Sequence, residues 1–463
     1  MNLYIPQYHF IPENNWMNDP NGPIYYKGQY HLFYQYNPND YHWDTMHWGH
    51  AVSKDLVHWK YLPIALFPSN DLGETHCFSG CTVINDGGLP TIFYTSIGDN
   101  DRNAQVGAEQ WMAVSHDDMI TWEKYKSNPS IKLGIHGTID IKEWRDPFIW
   151  KEDGIWYMVL GGGHEKKGCV LIYSSDNLVD WEFLNIMFET QNHEFLECPN
   201  IIKFGDKYVL IYSPNDVVKY HVGTLDKNFL FTSEYEGIID NSGWEGFYAP
   251  NTLIDPQGRN IMWGWMTEAS RGEFQGANGW SGAQSVPRVL TLAPDNSLRM
   301  EPIAEYKMLR YDEESYNNII INDNGLLFKN NGRALEIEME IVINGDEEFS
   351  LNVLESADNK EKTIVRYDAL AGEICVDRSK SSLSDEPHKS ILKSLLKKEK
   401  GQIINIRVFV DHSIIEVFAD DKVCISTRIY PTLKSSSNVN FELNKGKKIN
   451  IQKISMWKMN SIW

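Results

Sequence analysis

The chain has 463 residues, a formal net charge of −20 and an aromatic content of 13%. That length suits two or three domains with cores of their own, and the aromatic content excludes a disordered polymer. The acidic balance makes nucleic acid and phospholipid headgroups poor general partners.

The N-terminal residues Met1-Asn2-Leu3-Tyr4-Ile5-Pro6 show no basic segment leading into an apolar run, so they do not read as a secretory leader. A cytoplasmic location is expected. No run of about 18 apolar residues occurs, so no membrane partner is expected. Six cysteines, at 77, 81, 169, 198, 375 and 424, are sparse for a disulfide scaffold and are read as free thiols. Cys77 and Cys81 lack a second Cys/His pair, so no metal is expected. A homo-oligomer is compatible with this sequence.

The organising signal is repetition. Five segments share a Gly- or Asp-containing turn followed by a short strand of aromatic and aliphatic residues. In chain order they are Lys27-Gly28-Gln29 into 30–36, Gly87-Gly88 into 91–95, Glu152-Asp153-Gly154 into 155–160, Gly205-Asp206 into 207–212, and Gln257-Gly258-Arg259 into 260–266. Their spacing of roughly 50 to 65 residues is the size of one propeller blade. Between them recurs a second element: Ser53-Lys54-Asp55 ending at Trp59, Ser115-His116-Asp117 ending at Trp122, and Ser174-Ser175-Asp176 ending at Trp181. A turn opened by Ser and Asp and closed by Trp suits an outer hairpin. These repeats predict a five-bladed β-propeller over residues 1–302; a β-sandwich of many hairpins is the alternative.

After Pro302 a short helical stretch, 304–311, is predicted inside a linker at 303–319. Composition then changes, and alternation is clear in 334–342, 403–410 and 414–418. Residues 320–463 are expected to form a separate C-terminal β-sandwich, which makes the chain all-β. The Lys-rich segment 389–400 reads as solvated surface.

Three carboxylates stand in unusual surroundings. Asp19 lies in Trp16-Met17-Asn18-Asp19-Pro20-Asn21-Gly22, a rigid turn in which it either serves chemistry or caps backbone. Asp146 follows Arg145 in Trp144-Arg145-Asp146-Pro147; the cation is expected to keep it ionised, and a surface ion pair is the alternative. Glu197 stands in Phe195-Leu196-Glu197-Cys198-Pro199-Asn200. Apolar neighbours are expected to raise its pKa unless it points to solvent. Each precedes a strand of a different repeat, and a propeller brings such positions to one end of its channel. One ionised and one protonated carboxyl is the requirement for glycoside hydrolysis. Trp16, Trp43, Trp48, Phe78, Trp144 and Trp265 are aromatics that a sugar ring could use, most of them expected in the core.

These motifs resemble glycoside hydrolase family 32, the invertases, fructan hydrolases and sucrose-6-phosphate hydrolases. Further matches follow in order: Phe33-Tyr34-Gln35-Tyr36-Asn37-Pro38, Trp48-Gly49-His50-Ala51-Val52-Ser53, Asp55-Leu56-Val57-His58-Trp59, Phe78-Ser79-Gly80, Trp263-Gly264-Trp265, and Asp411-His412-Ser413 through Glu416-Val417-Phe418. The resemblance implies a retaining β-fructofuranosidase acting on sucrose or short fructo-oligosaccharides. It implies Asp19 as nucleophile, Glu197 as acid/base and Asp146 as the clamp on the fructose hydroxyls. The carboxyls of Asp19 and Glu197 would then stand about 5–5.5 Å apart. Asn18, Gln35, Trp43, Phe78, Ser79, Arg145 and Trp265 would line the fructose subsite, and Cys198 would help set the pKa of Glu197. No cofactor is implied.

Three positions depart from the family's usual residues: Asp44 after Trp43, Cys81 after Phe-Ser-Gly, and Asn200 after Glu-Cys-Pro. They are expected near the non-fructose part of the substrate. Two alternatives share the fold, a fructosyltransferase and a sucrose-6-phosphate hydrolase. A non-catalytic sugar-binding propeller would be expected to lose one of the three carboxylates. A sialidase-like propeller is disfavoured, because its Gly and Thr box residues and its arginine cluster are missing.

Overall fold

The computed structural model describes residues 3–98, 108–131, 134–271, 279–322 and 325–463. Its first part is a ring of five antiparallel sheets. Blade 1 runs Asn15–Tyr26, Gln29–Asn37, His47–Ser53 and Trp59–Leu66. Blade 2 runs His76–Ile84, Pro90–Ile97, Glu109–Val114 and Glu123–Lys124. Blade 3 runs Lys142–Glu152, Ile155–His164, Lys167–Ser175 and Glu182–Thr190. Blade 4 runs Glu197–Phe204, Lys207–Ser213, Lys219–Leu225 and Phe231–Ile238. Blade 5 runs Phe247–Ile254, Asn260–Met266, Arg288–Leu292 and Leu298–Pro302. The first strand of each blade packs against the first strands of the next and previous blades, so these five strands surround the axis. The ring is closed where Asn15 and Trp16 pair in parallel with Trp280 and Ser281.

The repeated Gly turns separate the first strand of each blade from the second. The strands that follow them in sequence are therefore the second of each blade, one step out from the axis. The acidic residues lie within the axial strands themselves rather than before them. The Ser–Asp–Trp element is the outer hairpin, between third and fourth strands. In blade 1 the Asp55 carboxylate accepts from the backbone N–H of Val57 and His58, at 3.0 and 2.8 Å, and Trp59 Nε1 donates to Leu56 O. In blade 3 the acceptor is Asn177, not Asp176: its Oδ1 takes the N–H of Val179 and Asp180. A side-chain carbonyl two residues after the Ser is the physical requirement, and Asn meets it as well as Asp.

The expected linker 303–319 is shorter than its sequence suggests. A 3₁₀ turn spans Ala304–Leu309, and Arg310–Ile321 is already the first strand of the sandwich. That strand is an edge, paired only with Ile449–Met459, and polar residues occupy both of its faces. Its alternation is therefore weak. The sandwich has two six-stranded sheets enclosing an apolar core that includes Ile337, Leu351, Val408, Ile425 and Phe441. The Lys-rich segment carries an exposed edge strand, Ile391–Leu395. Among the described residues no helix is long and apolar enough to cross a membrane.

Candidate active site

All five axial strands are broken at the same level. Pairing with the second strand slips between Met17 and Pro20, Cys77 and Gly80, Glu197 and Asn200, and Tyr248 and Asn251. In blade 3 it slips opposite Val159 and Gly161, at Arg145–Phe148. Three of these bulges hold a proline outside the ladder, in Asp146-Pro147, Cys198-Pro199 and Ala249-Pro250, and in blade 1 Pro20 pairs with Tyr34 directly after the bulge. A bulge leaves one residue outside the ladder, so proline's missing N–H costs nothing there. Asp146, Cys198 and Ala249 take positive φ, 62°, 48° and 45°. The bulge re-aims the residues beside it out of the pleat and into the funnel. Two glycines allow close approach, Gly22 between the axial strands of blades 1 and 2 and Gly80 between the first and second strands of blade 2. A Cβ at Gly22 would sit 2.8 Å from Thr82 N, and one at Gly80 would sit 2.0 Å from Phe93 O.

The bulges open on a pocket of about 440 Å³ lined by Trp16, Asn18, Asp19, Gln35, Trp43, Phe78, Ser79, Arg145, Asp146, Glu197, Cys198, Asn215, Trp244, Tyr248 and Trp265. All ten sequence-predicted site residues are brought together here. Asp19 accepts from Ser79 Oγ at 2.5 Å and from Asn18 Nδ2 at 3.1 Å. Asn18 is fixed in turn by Trp16 Nε1, at 2.8 Å. Asp146 Oδ2 accepts from Cys198 N–H at 2.9 Å, and Thr95 Oγ1 receives the Asp146 N–H at 2.8 Å. Glu197 Oε2 accepts from Tyr248 OH at 2.7 Å, while its Oε1 lies 3.6 Å from Arg145 Nη1. Gln35 Nε2 donates to Cys77 O. Trp16 and Trp265 meet edge-on at 5.9 Å. Trp265 faces the pocket, whereas Trp263 packs in the core against Trp59. Trp48 and Trp144 are core residues.

Burial governs the charges. It pushes Glu197 up to about 7; Arg145 pulls it down and Asp146 pushes it further up. Burial likewise pushes Asp19 up to about 6, against the Ser79 hydrogen bond and with the help of Asp146. Asp146 is also raised by burial, while the adjacent Arg145 charge and the Cys198 hydrogen bonds pull it down. The Arg145 guanidinium is shared with Glu143 and Glu197. At neutral pH Asp19 is the more ionised and Glu197 the more protonated of this pair.

Cys198, expected to help set the pKa of Glu197, makes its side-chain contacts with the two aspartates. Its thiol lies between the two aspartates, 3.5 Å from Asp146 Oδ2 and 3.7 Å from Asp19 Oδ2. Two of the three departures from family pattern are structural. Asn200 is buried and donates to Pro250 O at 3.0 Å, tying blade 4 to blade 5. Cys81 is packed in the core between blades 2 and 3. Only Asp44 is near the mouth, exposed beside Trp43.

Sequence reasoning missed Tyr248, Asn215 and Trp244. The x-Pro-Asn pattern could have found the first: Phe247-Tyr248-Ala249-Pro250-Asn251 follows Glu197-Cys198-Pro199-Asn200 as the next bulge. Asn215 comes from a loop and Trp244 from the 3₁₀ turn Gly243–Glu245, neither with a repeating signature.

Residues 9–302 match the Glycosyl hydrolases family 32 N-terminal domain and residues 305–458 the Glycosyl hydrolases family 32 C terminal. The chain is 32% identical to a sucrose-6-phosphate hydrolase of Zymomonas mobilis, over 92% of this chain and 87% of that protein. Its fold superposes on the crystal structure of fructan 1-exohydrolase IIa from Cichorium intybus with a TM-score of 0.89 and 25% identity, covering 99% of this chain and 98% of that one. It is also similar to a mutant Bombyx mori beta-fructofuranosidase solved in complex with sucrose, with a TM-score of 0.83 and 28% identity, covering 100% and 95% of the two chains. With both domain signatures filling nearly its whole length, this chain belongs to glycosyl hydrolase family 32 and is a glycosidase.

Proposed function

We propose that the chain releases terminal β-D-fructofuranosyl units from sucrose or short fructo-oligosaccharides, with retention, through a covalent fructosyl-enzyme. The observation that carries this is the convergence of three bulge carboxyls from three blades on one pocket, with Glu197 pushed up to about 7 and Asp19 to about 6. Asp19 attacks the anomeric carbon C2 as Glu197 protonates the departing oxygen. Glu197 then takes a proton from water, which cleaves the fructosyl ester and frees Asp19. Asp146 accepts hydrogen bonds from two fructose hydroxyls and stabilises positive charge on the ring. Asn18, Gln35, Phe78, Ser79, Trp43, Arg145 and Trp265 enclose the furanose. Arg145, the cation among the described lining residues, is already paired with the carboxylate of Glu143. That favours a neutral leaving sugar over a phosphorylated one.

Sucrose, sucrose-6-phosphate and inulin are supplied in parallel and the first-formed anomer of fructose is read by NMR. Sucrose is expected to be cleaved fastest, with β-fructofuranose appearing first. Asp19→Asn is expected to lower kcat at least about 10³-fold with the fold intact. An inverted product, or a fully active Asp19→Asn enzyme, overturns the mechanism. A strong preference for sucrose-6-phosphate overturns the substrate assignment.

A further inference from the structure

Two indoles stand open at the mouth of the pocket, Trp43 at 49% exposure and Trp244 at 43%. They differ in what lies behind them. Trp43 stacks on His76 and meets Phe78 edge-on at 6.2 Å, next to Ser79, which holds Asp19. Trp244 packs edge-on against Tyr248 at 4.8 Å and Trp265 at 5.6 Å, and Tyr248 holds Glu197. One indole therefore stands on the nucleophile's side and the other on the proton donor's side. In a double displacement the leaving oxygen departs toward the proton donor, away from the nucleophile. A hexose leaving group then lies against Trp244, whose ring suits the C–H face of a pyranose.

The segment bearing Trp244 is fastened to the sandwich on both sides of the indole. Asn241 N–H donates to Cys424 O at 2.8 Å. The Glu245 carboxylate accepts from Arg378 Nη2 at 2.6 Å and from Ser390 Oγ at 2.8 Å. Arg378 is buried and is fixed in turn by Thr427 Oγ1 at 2.8 Å. A Cβ at Gly246 would sit 1.9 Å from Ser426 O, so sandwich backbone lies flush against the turn. From the propeller, Thr267 Oγ1 donates to Trp244 O at 2.7 Å. The indole is thus held between the two parts of the molecule.

We infer that Trp244 is the platform for the leaving group and determines specificity for it, and that the sandwich positions it through the Glu245 clamp on Arg378 and Ser390. The inference rests on Glu197 being the proton donor. It gives the C-terminal sandwich a part in substrate selection, although none of its described residues lines the pocket.

The test compares two substrates that share the fructosyl group: sucrose, and methyl β-D-fructofuranoside, which has no ring to leave. In Trp244→Ala the ratio of kcat/KM for sucrose to that for the methyl fructoside is expected to fall about tenfold, the scale of one aromatic contact, chiefly through KM. Trp244→Phe is expected to restore most of it. Glu245→Gln, which keeps the shape of the side chain and removes its charge, is expected to lower the same ratio severalfold while kcat/KM for the methyl fructoside is retained, with a lower Tm because the buried Arg378 loses its carboxylate partner. An unchanged ratio in Trp244→Ala overturns the platform. An unchanged ratio in Glu245→Gln, with Trp244→Ala affected, overturns the role of the sandwich. A wild-type enzyme that cleaves neither substrate instead overturns the fructosidase reading itself.

Discussion

The phenol of Tyr248 donates its hydrogen to Glu197 Oε2 at 2.7 Å and receives the backbone N–H of Asn215 at 2.7 Å. A donor on the ionised carboxyl lowers its pKa, so Tyr248 restrains the upward push of burial on Glu197. In Tyr248→Phe the pKa of Glu197 rises, and the acid stays protonated to higher pH. The alkaline limb of the kcat/KM profile is expected to move up by about one pH unit, with kcat down about tenfold. A pH profile of initial rates on sucrose checks both; a limb that stays put removes Tyr248 from the tuning of the acid.

The wild-type enzyme needs Asp19 ionised and Glu197 protonated. With the two pushed up to about 6 and about 7, kcat/KM is expected to follow a bell with its maximum between those values. The limbs belong to the carboxyl cluster as a whole, since Asp146 repels both partners. Monotonic activity from pH 4 to 9 would contradict it.

The same burial costs stability. A carboxyl whose folded pKa lies above its unfolded value favours the folded state below the unfolded pKa. That advantage is lost as pH rises through the folded value. For Glu197 the loss falls between about 4.5 and about 7. Glu197→Gln keeps an acceptor for Tyr248 and removes the buried charge. It is expected to raise Tm at pH 8 by on the order of 2 °C and to change it little at pH 4. Calorimetry at the two pH values decides this.

A second buried cluster joins the propeller to the sandwich. His9 Nδ1 meets Asp411 Oδ2 at 2.9 Å and its Nε2 meets Glu416 Oε1 at 3.0 Å. Arg288 Nη2 bridges Glu416 and Asp240, each at 2.9 Å. Although burial opposes it, the two carboxylates raise the His9 pKa above 6.5. His9 therefore stabilises the fold fully below about 6.5, and the contribution is lost as pH climbs through its folded value. Glu416 is brought down to about 2 by His9 and Arg288 against burial, so its contribution is present above about 4.5 and is lost toward pH 2. His9→Ala leaves two buried carboxylates without this partner and is expected to cost about 3–5 kcal/mol. The gap in Tm from wild type should be largest near pH 5–6. A variant that melts like wild type there would show that the cluster contributes nothing.

Much of the chemistry was legible because the carboxyl motifs are compositionally odd and recur at blade spacing. Asp19, Asp146 and Glu197 each stand in or beside an axial bulge, and a ring of five blades has to bring such bulges together. Which strand of each blade was axial was harder to read. The second strands are more uniformly apolar and carry the obvious Gly turns, while the axial strands are interrupted by the prolines and polar residues of the site. Tyr248 and Trp244 carry no charge to draw attention, and an isolated aromatic in an aromatic-rich chain is more often core. The upward direction of the Asp146 shift was not legible, because sequence adjacency to Arg145 says nothing about the density of protein around the carboxyl.

His9 meets partners that lie 402 and 407 residues further along the chain, and the strand carrying Asp19 is sealed by pairing with Trp280 and Ser281. Such contacts are the slowest to find and the last to form. A growing polypeptide emerging from the ribosome therefore holds an open, unsealed ring for most of its synthesis. The ring cannot be sealed before Ser281 has been made, nor the His9 cluster completed before Glu416.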